Sequence, residues 1–294
     1  MINDATKRNL RRKSSYIDRV QYHEGIPLFS WIDLNLTELC NRKCVFCPRV
    51  DDAFYPNQNL HMALPLVEKL AQELQELNYK GAIVLCGFGE PMLHPELVEI
   101  VSILGRHHRV ELVTNGDKLN ASNALRLYDA GLDYFVVSMY DGPHQEAYFK
   151  ALFSEASLAP ETYILRDRWH SEEDDFGLKL TNRAGTINIG HQDPVVRSQP
   201  CYYPSYSMTF DWNGDALLCV QDWHKRVKAG NLFAQHIFDI WKSPTMAKYR
   251  QRLIKGKRTV APCSNCNADG TLHGFNHCDA WKSLRQTTAV DANS

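Results

Sequence analysis

The hydrophobic pattern of the first half of the chain alternates between strand-like and helix-like segments. Residues 31–37 (WIDLNLT) alternate and are rich in strand-forming side chains, whereas 64–77 places leucines at the spacing of one helix face. The two patterns recur in turn, with strands predicted at 82–86, 110–116, 134–142 and 163–166 and helices at 95–105 and 120–130. Such alternation is typical of a parallel α/β sheet or barrel.

The pattern changes after about residue 153. An acidic run at 171–177 indicates a solvated loop, and 205–220 indicates a β-hairpin around an Asn213-Gly214 turn. An amphipathic helix is predicted at 237–254, with an interruption at Ser243-Pro244, and the region after it is rich in turn-forming residues. We therefore predict four parts: a tail at 1–28, an α/β domain at 29–195, a smaller cysteine-rich α+β domain at 196–283 and a tail at 284–294.

Composition and charge exclude some partners. The 294 residues are 44% hydrophobic, which is enough for a sizeable core, and 33 basic against 34 acidic side chains give no electrostatic reason to expect nucleic acid. The basic N-terminal run lacks an apolar stretch, so we expect a solvated, flexible tail and no signal peptide. That run contains Lys7, Arg8, Arg11, Arg12 and Lys13. No segment approaches membrane-spanning length, and we expect a cytoplasmic protein without a membrane partner.

The cysteines carry most of the functional information. They occupy positions 40, 44, 47, 86, 201, 219, 263, 266 and 278. In a chain without a secretory signal, close-set cysteines favour metal binding or catalysis over disulfides. Cys40, Cys44 and Cys47 follow a predicted strand with C-x3-C-x2-C spacing. Three thiolates can bind a four-iron cluster and leave one iron open, and the alternative is a zinc site completed by a distant residue.

This cysteine trio, with Phe46 before its third member, resembles the cluster motif of the radical S-adenosylmethionine (radical SAM) superfamily. The resemblance implies a partial (β/α)5–6 barrel, a [4Fe–4S] cluster on the three cysteines and SAM on the open iron, with Phe46 against the adenine. It also implies reductive cleavage of SAM to a 5'-deoxyadenosyl radical, driven by an external one-electron donor such as flavodoxin or ferredoxin.

Three further segments at predicted strand ends match the same family. GFGEP resembles the segment that contacts the methionine part of SAM, and TNG and SMYDG resemble segments that place polar groups near its ribose. Each alone is also compatible with an ordinary turn, but barrel active sites are built from such strand ends, and glycine lets the main chain approach a ligand closely. The implied SAM-contacting residues are Gly87, Gly89, Glu90, Pro91, Asn115 and Ser138.

The C-terminal cysteines resemble the beginning of a SPASM domain. The chain lacks the continuation of the seven-cysteine SPASM pattern, which points to the shorter Twitch form with one auxiliary [4Fe–4S] cluster. Its implied ligands are Cys201, Cys219, Cys263 and Cys266. A zinc knuckle is the alternative that the spacing leaves open. A fully ligated cluster has no open iron, so its expected role is electron transfer or tuning.

Two cysteines and several charged residues have no motif. We expect Cys86, at the end of a buried strand, to be a small core residue. For Cys278 three roles stay open: an auxiliary-cluster ligand, a structural residue or a hydrogen-atom donor to a substrate radical. Three arginines lie between the two predicted domains, where they could bind substrate hydroxyl or phosphate groups or form surface ion pairs. They are Arg166, Arg168 and Arg183.

The resemblance implies hydrogen abstraction from a C–H bond of a small polar substrate. Relatives with one auxiliary cluster make a sugar or an aminocyclitol the leading class, with dehydrogenation or epimerisation as the outcome. Peptide modification is an alternative, as is a non-catalytic zinc or iron–sulfur binding protein.

Overall fold

The strands predicted in the first half of the chain form the parallel part of one sheet in the computed structural model, which describes residues 4–177 and 180–291. Before this sheet the chain forms a helix and a two-stranded ribbon: α1 (Asp4–Ile17), β1 (Tyr22–His23) and β2 (Ile26–Pro27). Five parallel strands then follow one another in the order of the chain. They are β3 (Trp31–Leu34), β4 (Ala82–Leu85), β5 (Arg109–Thr114), β6 (Tyr134–Met139) and β7 (Tyr163–Asp167).

Four helices connect these strands and cover one face of the sheet. They are α2 (Leu64–Glu76), α3 (Leu97–Gly105), α4 (Ala121–Asp129) and α5 (His144–Glu155). In α2, Leu66, Leu70 and Leu74 are fully buried in the same core as Ile32 and Leu34 of β3, as the leucine spacing predicted. Asn120 caps α4 by accepting a hydrogen bond from the backbone N–H of Asn123.

The predicted hairpin is present, but it extends the same sheet. β8 (Ser207–Phe210) pairs in parallel with β3, and β9 (Asp215–Leu217) and β10 (Lys228–Asn231) continue antiparallel, which gives the strand order β10-β9-β8-β3-β4-β5-β6-β7. β8 is therefore a sixth parallel strand, supplied from the C-terminal part of the chain. The domain boundary near residue 195 stays a prediction, since hydrogen bonds of one sheet connect the two sides.

Four helices precede or follow the hairpin in the C-terminal part of the chain. They are α6 (Tyr203–Tyr206), α7 (Ile237–Lys242), α8 (Pro244–Ile254) and α9 (Phe275–Asp291). The predicted interruption lies between α7 and α8, where the Ser243 side chain accepts from the backbone N–H of Met246. The predicted tail at 284–294 continues α9 as far as Asp291, and its last three residues lie outside the described part. No helix within 4–177 and 180–291 is long and apolar enough to cross a membrane.

The interpretation of the N-terminal basic run as a solvated tail is wrong for residues 4–17. α1 lies against the sheet face opposite α2 to α5, where Ile17 is buried among Trp31 and Val84. Arg12 forms an ion pair with Glu111 of β5, which is fully buried. An amphipathic helix with a charged buried face forms here because a carboxylate inside the sheet compensates the arginine.

Candidate active site

The three cysteines after β3 and the ends of the next strands line one cavity of about 330 Å³. The wall contains most of the residues expected to contact SAM. They are Phe46, Gly87, Gly89, Glu90, Asn115 and Ser138, together with Cys40, Cys44 and Cys47. Pro91 does not line it: the residue is buried and begins a short 3-10 helix, Pro91–Leu93. Loops at the carboxyl ends of parallel strands meet at one edge, which explains why sequence order predicted this convergence.

The GFGEP segment is packed against the chain that leads from β3 to Cys40. A Cβ on Gly89 would lie 2.1 Å from the carbonyl oxygen of Thr37, and one on Gly87, whose φ is +149°, would lie 2.6 Å from the Asn35 side chain. Asn35 Oδ1 accepts hydrogen bonds from the backbone N–H groups of Phe88 (2.9 Å) and Gly89 (3.2 Å). The two glycines therefore permit close contact between two backbone segments of the site.

Glu90 joins the second and third strand ends. Its carboxylate accepts from Thr114 Oγ1 (2.7 Å) and from the backbone N–H groups of Asn115 (2.8 Å) and Met92 (3.0 Å). Burial raises the pKa of Glu90 to about 7, against the effect of these donors. The Asn115 side chain donates to Asn41 Oδ1 (2.9 Å), next to Cys40. Glu90 and Asn115 thus fix the cysteine loop and the TNG turn relative to each other.

The cysteine loop is also held by Arg42. Its Nε donates to Asp117 Oδ2 (2.7 Å) and its Nη1 to Asp141 Oδ1 (2.8 Å), so the loop is tied to the turns after β5 and β6. The ring of Phe46 lies 6.0 Å from that of Tyr140 and 5.1 Å from that of Phe176, measured between centroids. This forms an aromatic wall beside the cysteines.

The thiols of Cys40, Cys44 and Cys47 are partly buried and close to one another. Burial, followed by the neighbouring Cys47 and Cys40 thiols, raises the pKa of Cys44 to about 12, and burial also raises the pKa values of the other two. Three thiolates so placed need a compensating cationic group, since crowding and desolvation both oppose ionisation. A soft donor set of this kind fits an iron–sulfur cluster.

A second, much smaller cavity of about 20 Å³ is lined by all four remaining predicted ligands. Cys201, Cys219, Cys263 and Cys266 come from the start of α6, the end of the hairpin and the turn before α9, and the wall is otherwise mostly apolar. Burial and the other three thiols raise the pKa of Cys219. Across 4–177 and 180–291 no three His, Cys, Asp or Glu side chains converge as ligands of a single ion. The thiols share a cavity wall, and this arrangement also fits a cluster.

The two cysteines without a motif lie in other places than their candidate roles suggested: Cys278 is buried away from both cavities, and Cys86 lines the first one. Cys278 lies in α9, is 1% exposed and lines neither cysteine cavity, so the structure does not bring this candidate hydrogen-atom donor to the site. Cys86, expected in the core, lines the first cavity and donates from Sγ to Asp33 Oδ1 at 3.4 Å. The inward-facing side of β4 explains this difference, because strand residues alternate between the two faces.

Several wall residues of the first cavity were missed. Asp33 also accepts from Trp31 Nε1 (3.0 Å), and burial raises its pKa against the effect of Lys13. The sequence did carry a signal: Asp33 interrupts the apolar strand WIDLNL on the face opposite Ile32 and Leu34. Of the three arginines between the predicted domains, Arg166 and Arg183 line this cavity and Arg168 does not. Arg166 Nη2 donates to Ser138 Oγ (2.7 Å).

Comparison with known protein families matches this architecture. The sequence model of the Radical SAM superfamily matches residues 34–151, and that of the SPASM iron–sulfur cluster-binding domain matches 201–267. The chain contains a radical SAM domain followed by a SPASM-type domain. The predicted family and fold class are confirmed. The radical SAM domain implies SAM and a SAM-binding [4Fe–4S] cluster, and the SPASM-type domain implies auxiliary cluster binding.

Individual relatives narrow the comparison. The S-adenosyl-L-methionine-dependent 2-deoxy-scyllo-inosamine dehydrogenase of Niallia circulans is 29% identical over 246 residues, which cover 82% of this chain and 93% of the relative. The crystal structure of BtrN in complex with AdoMet and 2-DOIA has a TM-score of 0.72 and 26% identity, covering 86% of this chain and 98% of that one. GTP 3',8-cyclase of Listeria monocytogenes is 34% identical over 128 residues, covering 42% of this chain and 36% of the cyclase.

Proposed function

We propose that this protein is a radical SAM dehydrogenase that oxidises a secondary alcohol of a small polyol, a sugar or an aminocyclitol, to a ketone. The observation that carries the proposal is that two cavities are lined by neighbouring residues of the same segments. One is polar and contains the trio Cys40, Cys44 and Cys47, and the other is small and contains four cysteines. Similarity to the aminocyclitol dehydrogenase of Niallia circulans supports the substrate class.

The residues that hold the cofactors follow from the cavities. Cys40, Cys44 and Cys47 would hold the SAM-binding cluster, and the four thiols of the smaller cavity would hold the auxiliary one. When bound, these groups supply hydrogen-atom removal at the first cavity and an electron acceptor at the second. The overall reaction balances as SAM and an alcohol giving methionine, 5'-deoxyadenosine, a ketone and one proton.

The chain itself must take up the hydroxyl proton. We assign this role to Asp33, whose carboxylate lies in the cavity wall and is oriented by Trp31 Nε1 and Cys86 Sγ. Its raised pKa makes it a stronger base than an exposed aspartate. Arg166, fixed by its hydrogen bond to Ser138, orients substrate oxygens from β7.

The electron released when the substrate is oxidised would have a short path from the first cavity to the second. Arg183 and Val220 line the first cavity, while their sequence neighbours Ala184, Cys219 and Gln221 line the second. One thickness of chain thus separates the two cavities. Asn182 and Asn267 hold this segment, because the Asn182 backbone N–H donates to Asn267 Oδ1 (2.8 Å).

Dehydrogenation is favoured over epimerisation. The relative from Niallia circulans is a dehydrogenase, and the candidate hydrogen-atom donor Cys278 lies away from the cavity. The thiol that does line the cavity, Cys86, donates to Asp33 Oδ1. We also propose that a flavodoxin or ferredoxin supplies the electron that initiates turnover.

Anaerobic reconstitution tests the proposal. With dithionite, SAM and a panel of polyols, we expect iron for two clusters, 5'-deoxyadenosine, and one ketone per 5'-deoxyadenosine on the correct substrate. Incorporation of deuterium from D2O into a stereoinverted product would favour epimerisation. Zinc in place of iron, with no SAM cleavage, would exclude radical SAM catalysis and favour a non-catalytic binding protein. Modification of a peptide substrate would support the peptide-modification alternative.

A further inference from the structure

Helix α1 brings charged side chains into the active-site cavity. Asn9, Arg12 and Lys13 line the same cavity wall as Asp33 and Arg166. α1 lies outside both segments matched by the family models, 34–151 and 201–267. The matched family segments therefore do not include this part of the wall, and its chemistry bears on which substrate the cavity accepts.

The helix is firmly attached. Arg12 pairs with buried Glu111, and its guanidinium carbon lies 4.9 Å from the Tyr134 ring centroid. Ser14 Oγ is 3.2 Å from His273 Nδ1, and Ser30 Oγ donates to the Ile17 carbonyl at 3.4 Å. These contacts fix the position of Lys13, whose Nζ lies 4.7 Å from the Trp31 ring centroid.

The cations of the wall fall into two groups. Arg12, Arg42 and Arg49 each form an ion pair with a carboxylate of the protein. In the described part of the chain, Lys13, Arg166 and Arg183 have no carboxylate within 4.0 Å.

The carboxylates of the wall do not balance this second group. They are Asp33 and Glu90, and Glu90 is engaged by three donors of its own. Burial lowers the pKa values of both Lys13 and Arg166, and for Lys13 the nearby Asp33 carboxylate offsets only part of this effect. An anion in the cavity would compensate them.

We propose that Lys13 and Arg166 bind an acidic group, a carboxylate or a phosphate, carried by the polyol substrate, and that α1 makes this chain selective for such substrates. The inference rests on the proposed function and specifies its substrate. Charge-assisted hydrogen bonds from a buried lysine and arginine are the interactions that recognise carboxylates and phosphates.

Ligand binding to the reconstituted, SAM-loaded enzyme tests the inference without turnover. Four probes separate the chemistries: glucuronate for a carboxylate, glucose 6-phosphate for a phosphate, glucosamine for an amine and myo-inositol for a neutral ring. We expect at least one acidic probe to raise the melting temperature and to bind more tightly than the other two. Equal binding of all four, no binding of any, or a preference for glucosamine or myo-inositol would overturn it.

Substitutions in α1 test whether Lys13 is responsible for the preference for acidic probes. K13Q should weaken binding of the acidic probe about tenfold to a hundredfold, and K13R should restore most of it. K7Q is the matched control, since Lys7 lies on the same helix with a side chain 55% exposed. Unchanged binding in K13Q with normal iron content would exclude Lys13 as a contact. Reductive SAM cleavage by the wild type without any probe tests the enzyme class independently.

Discussion

The two cysteine cavities differ in almost every physical respect. The first, about 330 Å³, contains the C-x3-C-x2-C trio together with Cys86, and its wall is rich in charged and hydrogen-bonding side chains. The second, about 20 Å³, has four cysteines, and Arg258 is the charged residue in its otherwise mostly apolar wall. A site that must admit a cofactor and a substrate requires volume and polar partners, whereas a site that transfers electrons works best when closed to water. The following predictions test this contrast.

The largest effect is expected from C44A. Loss of one of only three ligands should remove the first cluster, because no other cysteine in the wall is placed in the C-x3-C-x2-C loop. Reductive SAM cleavage should fall below detection while iron for the auxiliary cluster remains. Iron and sulfide assays with electron paramagnetic resonance measure which cluster remains. SAM cleavage by C44A at the wild-type rate would show that the first cavity is not the site of SAM cleavage.

C263A should separate cleavage from oxidation. The auxiliary cluster loses a ligand while the first cavity is untouched, so 5'-deoxyadenosine should still form. Ketone formed per 5'-deoxyadenosine should drop from near one towards zero. The ratio is measured by mass spectrometry, and a ratio that stays near one would mean that the second cavity does not accept the electron.

D33N tests the proton acceptor of the first cavity. The substitution preserves size and one acceptor oxygen, which can still accept from Trp31 Nε1 and Cys86 Sγ, but it removes the base. Ketone formation should therefore slow by about 10²-fold or more. Iron content and SAM binding should match the wild type. The rate of the wild type should rise with pH as Asp33 ionises, and a variant with the same rate and pH profile would exclude the assignment.

The wall formed by α1 should loosen in acid. Burial lowers the pKa of His277 to about 4, and this ring packs under α1, with Nε2 3.1 Å from Ser30 Oγ. A histidine with a depressed folded pKa contributes stability above its unfolded value of about 6.5, which is lost as pH falls towards 4. The loss should be on the order of 2–3 kcal/mol at pH 4.

Urea unfolding from pH 7 to pH 4 measures this effect, with H277Q as the comparison. The variant should be less stable at pH 7 but should lose less stability on acidification. Parallel pH curves for the two proteins would show that His277 is not the titrating group.

The smallest effect is expected from C278A. Cys278 is buried in α9 and lines neither cavity, so the change should cost about 1 kcal/mol of stability through a small void and leave the product unchanged. C86A is the matched variant within the first cavity. A stalled reaction with continued 5'-deoxyadenosine formation in C278A would revive the donor hypothesis.

Much of the first cavity could be predicted from the sequence because its residues follow strand ends with recognisable motifs. Lys13 could not, although Asn9, Arg12, Lys13, Tyr16 and Ile17 recur at the spacing of one helix face. A basic run is usually a solvated face, and only the buried carboxylate of Glu111, about a hundred residues away, reverses that expectation. The burial of this helix depends on a contact between residues far apart in the sequence, which a local sequence pattern does not reveal.

The hairpin gives the same lesson at the level of the fold. Its turn and strands were predicted from Asn213-Gly214 and the alternation around it. Its pairing with β3 was not, because local pattern does not specify which edge of a sheet a strand will join. The predicted boundary near residue 195 therefore lies between segments that share one sheet, a connection that the local pattern did not indicate.

That continuity has a mechanical consequence. β3 leads to Cys40 and β8, through the turn and β9, leads to Cys219, and the two strands are hydrogen-bonded neighbours about 4.8 Å apart. Electron tunnelling weakens exponentially with distance, so a pair of redox centres carried on a swinging hinge would conduct intermittently. If the two cysteine sites hold clusters as proposed, the β3–β8 pairing would keep them at a constant separation, because widening the gap would break the hydrogen bonds between the two strands.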